Sequence, residues 1–280
     1  MDWTQFIELA LAAAAASMLG SMLGLGGGVF MVPIMTLFIG IDPKIAVGAS
    51  AISVVTNSVI GSTNHLRSGF TNLRLGMMME TITAIGAFIG ATIAVAVNAN
   101  VLSVIFGVVL LYSAVSMVKK RTAPIGDAGP GMADPMRLGG HYLDPATRRE
   151  IRYVPQNVPF GMAISSGAGV LSGMLGVGGG VIKVPMMNLF MHIPVKAAAG
   201  TSSFMVGLTS VATATVFYAD GKLVPAVVVP IMLGVIAGSQ LGSHLTRRLQ
   251  TQRLILIFFV VLTYLGLSMI FDAFGISLRG

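Results

Sequence analysis

Gly24-Leu25-Gly26-Gly27-Gly28-Val29-Phe30-Met31-Val32-Pro33 returns 152 residues later (24 to 176) as Gly176-Val177-Gly178-Gly179-Gly180-Val181-Ile182-Lys183-Val184-Pro185. Each copy lies inside an apolar stretch that would otherwise read as one long helix. Glycine clusters and prolines both break helices. Broken backbone at membrane depth is tolerated only where protein or a water-filled cavity surrounds it. Whether this chain is a membrane protein therefore decides what the two motifs mean.

Composition answers that. Of 280 residues, 55% are hydrophobic and 10% charged, and the mean hydropathy is +0.87; a soluble domain carries about 25% charged residues. Leu75–Val97 holds one charge, Glu80, and Leu254–Phe271 holds none, each run close to or above the roughly 18–20 residues that span a bilayer. The class is an all-α polytopic membrane protein in a lipid bilayer. Met1–Thr4 has no positive charge ahead of the apolar run, unlike a secretory signal. Cysteine is absent, which excludes disulfide and thiol chemistry. A formal charge of +7 is what basic cytoplasmic loops give a membrane protein, so no nucleic-acid partner is expected.

Residues 21–58 align with 173–210 without a gap and are identical at about half of the positions, Lys44/Lys196, Gly48/Gly200 and Ser50/Ser202 among them. The register extends to Gly86/Gly238 and Gly90/Gly242. The chain thus divides into a first repeat (1–118), a polar linker (119–158) and a second repeat (159–280). Loop charges orient them. In the first half Arg67 and Arg74 mark one loop as cytoplasmic, whereas Asn98–Asn100 is uncharged. In the second half the equivalent of the uncharged loop carries Arg247, Arg248 and Arg253. Equivalent loops then lie on opposite sides, and the repeat is inverted.

An inverted repeat needs an odd number of crossings per half. Residues 73–97 and 101–118 supply two, so 5–63 must supply an odd number. That follows if the glycine motif reverses the chain, giving pieces at 5–23, 29–40 and 45–63. The expectation is about ten membrane segments, five per half, with glycine-broken half-helices in each and both termini periplasmic. The linker carries five prolines and seven basic residues; it reads as a plain cytoplasmic connection, though a stretch such as Gly140–Asp144 could order against the membrane domain as a gate.

Paired interrupted segments in two halves point to a transporter's binding site. A reversal at Gly24, Gly26, Gly27 and Gly28 leaves a helix N-terminus near the midplane, where unpaired N–H groups and a partial positive charge suit an anion. Gly176, Gly178, Gly179 and Gly180 supply a second such end. The competing reading is that these glycines only allow tight helix crossing, which fits Gly20, Gly86/Gly90 and Gly238/Gly242. Lys183, opposite Met31 in the repeat, is an ammonium in a membrane segment and so either a functional group or a side chain snorkelling to an interface. Ser50, Thr201, Ser202, Asn57 and Gln240 are the candidate neutral donors. Glu80 is a candidate for proton coupling, or a partner for Arg74 or a linker base.

The two Gly-x-Gly-Gly-Gly-x-x-x-x-Pro motifs, with Gly48-Ala49-Ser50 and Gly200-Thr201-Ser202 behind them, resemble those of the sulfite exporter TauE/SafE family of permeases. The resemblance covers nearly the whole chain outside 119–158. It implies a secondary transporter, by family habit an exporter, that moves sulfite or an organosulfonate across the bacterial inner membrane by rocking the repeats around the glycine loops. An anion channel, or a carrier of another small anion, remains the alternative. The four histidines are scattered, and apolar segments hold no cluster of catalytic or metal-ligating residues. No metal site, cofactor or enzymatic activity is expected; glycine-bearing helix faces allow a homodimer.

Overall fold

The computed structural model describes residues 3–23, 26–67, 69–119, 134, 136–143, 149–246 and 251–275. The first half runs α1 (Trp3–Leu23), α2 (Gly28–Pro33) with a π-helical continuation (Ile34–Ile39), α3 (Pro43–Arg67), α4 (Leu73–Ala96) and α5 (Ala99–Lys119). A hairpin of β1 (Gly140–Leu143) and β2 (Glu150–Tyr153) follows. The second half repeats the order as α6 (Val158–Leu175), α7 (Gly180–Leu189), α8 (Val195–Ala219), α9 (Pro225–Thr246) and α10 (Thr251–Ala273). Among the described residues, seven helices (α1, α3, α4, α5, α6, α8 and α9) are long and apolar enough to cross a membrane, and Gly28–Ile39 and Phe259–Ala273 are shorter apolar helices.

Glycine motifs separate α1 from α2 and α6 from α7. Gly27 and Gly179 occupy the N-cap positions at φ 79° and 75°, a left-handed conformation that costs a residue with a Cβ about 1–2 kcal/mol. Their carbonyls then accept the first helical bonds, from Phe30 and Met31 in one copy and from Ile182 and Lys183 in the other. Both turns fold back on the helix before them: Gly27 lies against Gly20 and Ser17, and Gly179 against Ser172 and Ala168. The prolines act differently in the two copies. Pro33, which has no N–H to give, is followed by the wider π-turn of Ile34–Ile39, whereas Pro185 sits in an α-helix that ends at Leu189.

The halves interlock. The most extensive helix contacts are α1 with α9, α4 with α6, α5 with α10 and α3 with α8, all of them between halves. Exchanging each helix for its counterpart turns α1–α9 into α6–α4, so these pairings are unchanged by the exchange. Small residues make them possible. A methyl at Gly90 would run into Val170 O and one at Gly173 into Ala87 O, with Gly234 and Gly238 set likewise against Ala10 O and Ala14 O. Without a hydrophobic force between helices in lipid, such close backbone approach is what holds them. Within the first half, Lys44 ties α3 to α4, donating from Nζ to Val95 O (2.6 Å) at the negative end of α4.

Within 119–158, the hairpin is ordered against the helices. Strand residues pair antiparallel from Gly140↔Tyr153 to Leu143↔Glu150. Tyr142, Ile151 and Tyr153 alternate inward into a cluster with Leu75, Met79, Met186, Met187 and Met191. Asn72 fastens it: its amide donates to Leu138 O (2.8 Å) and its carbonyl oxygen accepts from Leu75 N, capping α4. Phe70 meets the Tyr142 ring edge-on at 5.1 Å. Burial pushes the Tyr153 hydroxyl above the usual tyrosine range.

Candidate functional site

The two glycine turns meet. Ser50 on α3 donates across the halves to Gly176 O (2.9 Å), and Gly28 lies so close that a Cβ there would sit 2.9 Å from the same oxygen. Val54 and Val206, one from each repeat, both press on Gly26 and on Gly178. Gly26, Gly27, Gly28, Gly176, Gly178, Gly179 and Gly180 therefore belong to one junction; Gly24 lies outside the described residues.

Its two sides differ in how their polar groups are satisfied. In the first half Ser50 is bonded to Gly176 O, Ser58 to Ser203 O, and Ser17 to Val235 O (3.1 Å). Asn57 is buried beside Gly27, its Nδ2 3.6 Å from where a Cβ on that glycine would stand. In the second half Ser172, Ser202 and Ser210 are buried with no hydrogen-bond partner for their hydroxyls. Ser172 packs on Gly179, and Ser210 Oγ lies 3.0 Å from the Cβ position of Gly178. An unpaired buried hydroxyl costs roughly 1–3 kcal/mol. Two of them beside the start of α7, where first-turn N–H groups also lack helical acceptors, form a set of donors suited to a small oxyanion.

Lys183 and Glu80 come together. The ammonium of Lys183 lies 3.2 Å from Glu80 Oε2, with side-chain exposures of 0% and 5%. Thr209 bridges them: Lys183 Nζ donates to Thr209 Oγ1 (2.6 Å), and that hydroxyl reaches Glu80 Oε1 (2.6 Å). Glu80 is thus partnered neither by Arg74, which donates to Arg137 O, nor by a linker base, and Lys183 does not snorkel. The stem of Lys183 runs past Gly179, its Cε 3.4 Å from that glycine's Cβ position, so the triad borders the α7 turn.

The remaining candidates divide. Thr201 is buried at the start of α4, where its hydroxyl accepts from Asn72 N (3.0 Å). Gln240 falls on the exposed face of α9, because Gly238 and Gly242 turn toward α1 and a residue two places along is roughly 200° round the helix. Thr209 is one of several hydroxyls that follow the second motif, and its signal in the sequence is its register: it stands 152 residues from Asn57 (57 to 209). Ser172 has Gly20 as its counterpart and left no such trace. Among the described residues no group of three or more His, Asp or Glu could hold a metal ion.

A family model described as sulfite exporter TauE/SafE matches residues 9–269. The chain is 27% identical to "Probable membrane transporter protein YunE" of Bacillus subtilis, covering 95% of this chain and 98% of that protein. It is 25% identical to a protein of the same description from Methanocaldococcus jannaschii, covering 90% of each. A third relative, "Probable membrane transporter protein MamO" of Magnetospirillum gryphiswaldense, is 26% identical over 94% of this chain but 44% of its own length. No solved structure matches.

Proposed function

The chain belongs to the sulfite exporter TauE/SafE family, and from that premise we propose that it exports a small sulfur-containing anion, sulfite or an organosulfonate, across the bacterial inner membrane. It is a multi-pass membrane transporter and not an enzyme. In the membrane the ten helices form two inverted sets of five, with the termini periplasmic and the hairpin cytoplasmic. The bases of the short loops, Arg67 and Arg74 in one half and Arg247, Arg248 and Arg253 in the other, favour that orientation.

The observation that carries the reading is the junction of the glycine turns, with Ser172 and Ser210 buried and unpaired beside Gly178 and Gly179. A tetrahedral oxyanion would take these hydroxyls together with the amides that open α7, and Lys183 stands next to them as counter-charge. Neutral donors bind such an anion without trapping it, which a carrier needs in order to release its load. Purified protein screened against sulfite, thiosulfate, sulfoacetate, taurine and sulfate should bind at least one of the sulfur anions saturably. In proteoliposomes, the same anion on the far side should accelerate tracer uptake. Failure of every one to bind refutes the reading, and tracer flux indifferent to anion on the far side refutes the carrier in favour of a channel.

A further inference from the structure

Lys183 is already neutralised before any anion arrives. Its ammonium, the Glu80 carboxylate and the Thr209 hydroxyl form a closed, buried triad of zero net charge. We propose that this triad couples the anion to a proton: the anion takes Lys183 when a proton takes Glu80, so that one proton travels with each monovalent anion. This rests on the anion reading above and adds a co-transported ion to it; because the proton gradient across a bacterial inner membrane points inward, net export then runs on the anion's own outward gradient.

Charge has to balance at a buried site. An anion brought to the triad as it stands would leave an excess negative charge away from water, which is strongly unfavourable. A proton on Glu80 restores zero. The hydrogen bonds can follow without moving a helix. With Glu80 ionised, Thr209 accepts from Lys183 and donates to Oε1. With a proton on Oε1, the carboxyl donates to Thr209 Oγ1, and the threonine turns its own hydrogen to Met205 O, which lies 3.0 Å away. Glu80 Oε2 then faces Lys183 as a neutral acceptor, and the ammonium is free to pair with an anion at the α7 turn.

Other charges do not compete for the site. Arg74 precedes Glu80 by six residues on α4 and is bonded to Arg137 O. Lys196 and Tyr218 stand at the two ends of α8, and Lys44, His65 and Arg67 at the ends of α3. On α5, Tyr112 is exposed and Lys119 is the last residue. The hairpin's Tyr142 and Tyr153 lie in the cluster with Leu75 and Met79, and the Tyr153 hydroxyl accepts from Asn72. Among the described residues α6 carries no charge, and α7 carries only Lys183.

Coupling of this kind is reciprocal. Anion affinity should fall about tenfold for each pH unit above the Glu80 titration, because one proton binds with each anion. The probes are methanesulfonate and 2-hydroxyethanesulfonate, monoanions that do not themselves titrate near neutrality. Calorimetry of the purified full chain in buffers of different ionisation heat counts protons taken up per anion bound. Wild type should take up one, and in proteoliposomes an acidic exterior should drive tracer uptake. Glu80→Gln should bind the anion independently of pH, take up no proton, and exchange anions without responding to a pH gradient. Anion binding by wild type with no proton uptake overturns the coupling and leaves the transporter reading intact. So does proton uptake that persists in Glu80→Gln, or loss of binding in folded Glu80→Gln. If that variant does not fold, the wild-type proton count decides by itself. Failure of all the anions to bind would instead remove the reading beneath it.

Discussion

Val54 and Val206 close on the same two glycines. They stand 152 residues apart (54 to 206) at matching places in the repeat, both almost completely buried. The Cγ1 of Val54 lies 3.2 Å from the Cβ position of Gly26 and 2.9 Å from that of Gly178, and Val206 reaches the same pair. Two valines therefore plug the meeting point of the glycine turns from both sides. Val54→Ala and Val206→Ala together should widen it and raise transport of benzenesulfonate relative to methanesulfonate, at roughly 1–2 kcal/mol of stability per site. An unchanged ratio of the two rates would show that the plug does not set size selectivity.

Crossing α4 over α6 depends on Gly90 and Gly173, where an added methyl would strike backbone oxygen. Gly173→Ala should lower the melting temperature in detergent, with a cost of about 1–3 kcal/mol from forced separation. Gly167→Ala is the control on the same helix. It has open space and should be neutral or stabilising by up to about 1 kcal/mol.

Stability offers a second readout of the Lys183–Glu80 pair. Lys183→Met strands a buried carboxylate and should cost about 3–5 kcal/mol. Adding Glu80→Gln should recover much of that loss, and the non-additivity measures the pair. Simple additivity of the two single effects would mean that the residues are not coupled in the folded protein.

Asn72 serves two structures at once, capping α4 through Leu75 N and holding the hairpin through Leu138 O. Asn72→Ala should cost about 1–2 kcal/mol through the cap and expose the hairpin to trypsin at Arg149 and Arg152. Faster cleavage there, with α4 otherwise intact, is the expected pattern. Cleavage at the wild-type rate would mean that Tyr142, Ile151 and Tyr153 hold the hairpin unaided.

Much of this molecule could be read from residues because a membrane leaves few options. The motif glycines stand out within apolar stretches that have to be helical, and the helices observed at 28–39, 43–67 and 73–96 fall close to the pieces expected at 29–40, 45–63 and 73–97. What the sequence does not carry is which side chains face each other across helices. Glu80 and Lys183 are 103 residues apart, and only the insertion of α7 beside α4 and α8 makes them partners. The unequal hydroxyls are hidden for the same reason: Ser50 and Ser202 are identical in sequence and opposite in satisfaction. The hairpin left only a four-residue alternation inside a proline-rich stretch, too short to outweigh its surroundings.

The interlocking of the halves bears on how the chain is made. As residues 1–119 leave the ribosome, α1, α4 and α5 have yet to meet their main neighbours, because α9, α6 and α10 are still to be translated. The glycine face of α4 then waits on α6, the helix synthesised directly after the hairpin. Assembly is therefore late, and the two halves are obligate partners rather than autonomous modules. Expressed as separate polypeptides, each half should be degraded alone and rescued by the other.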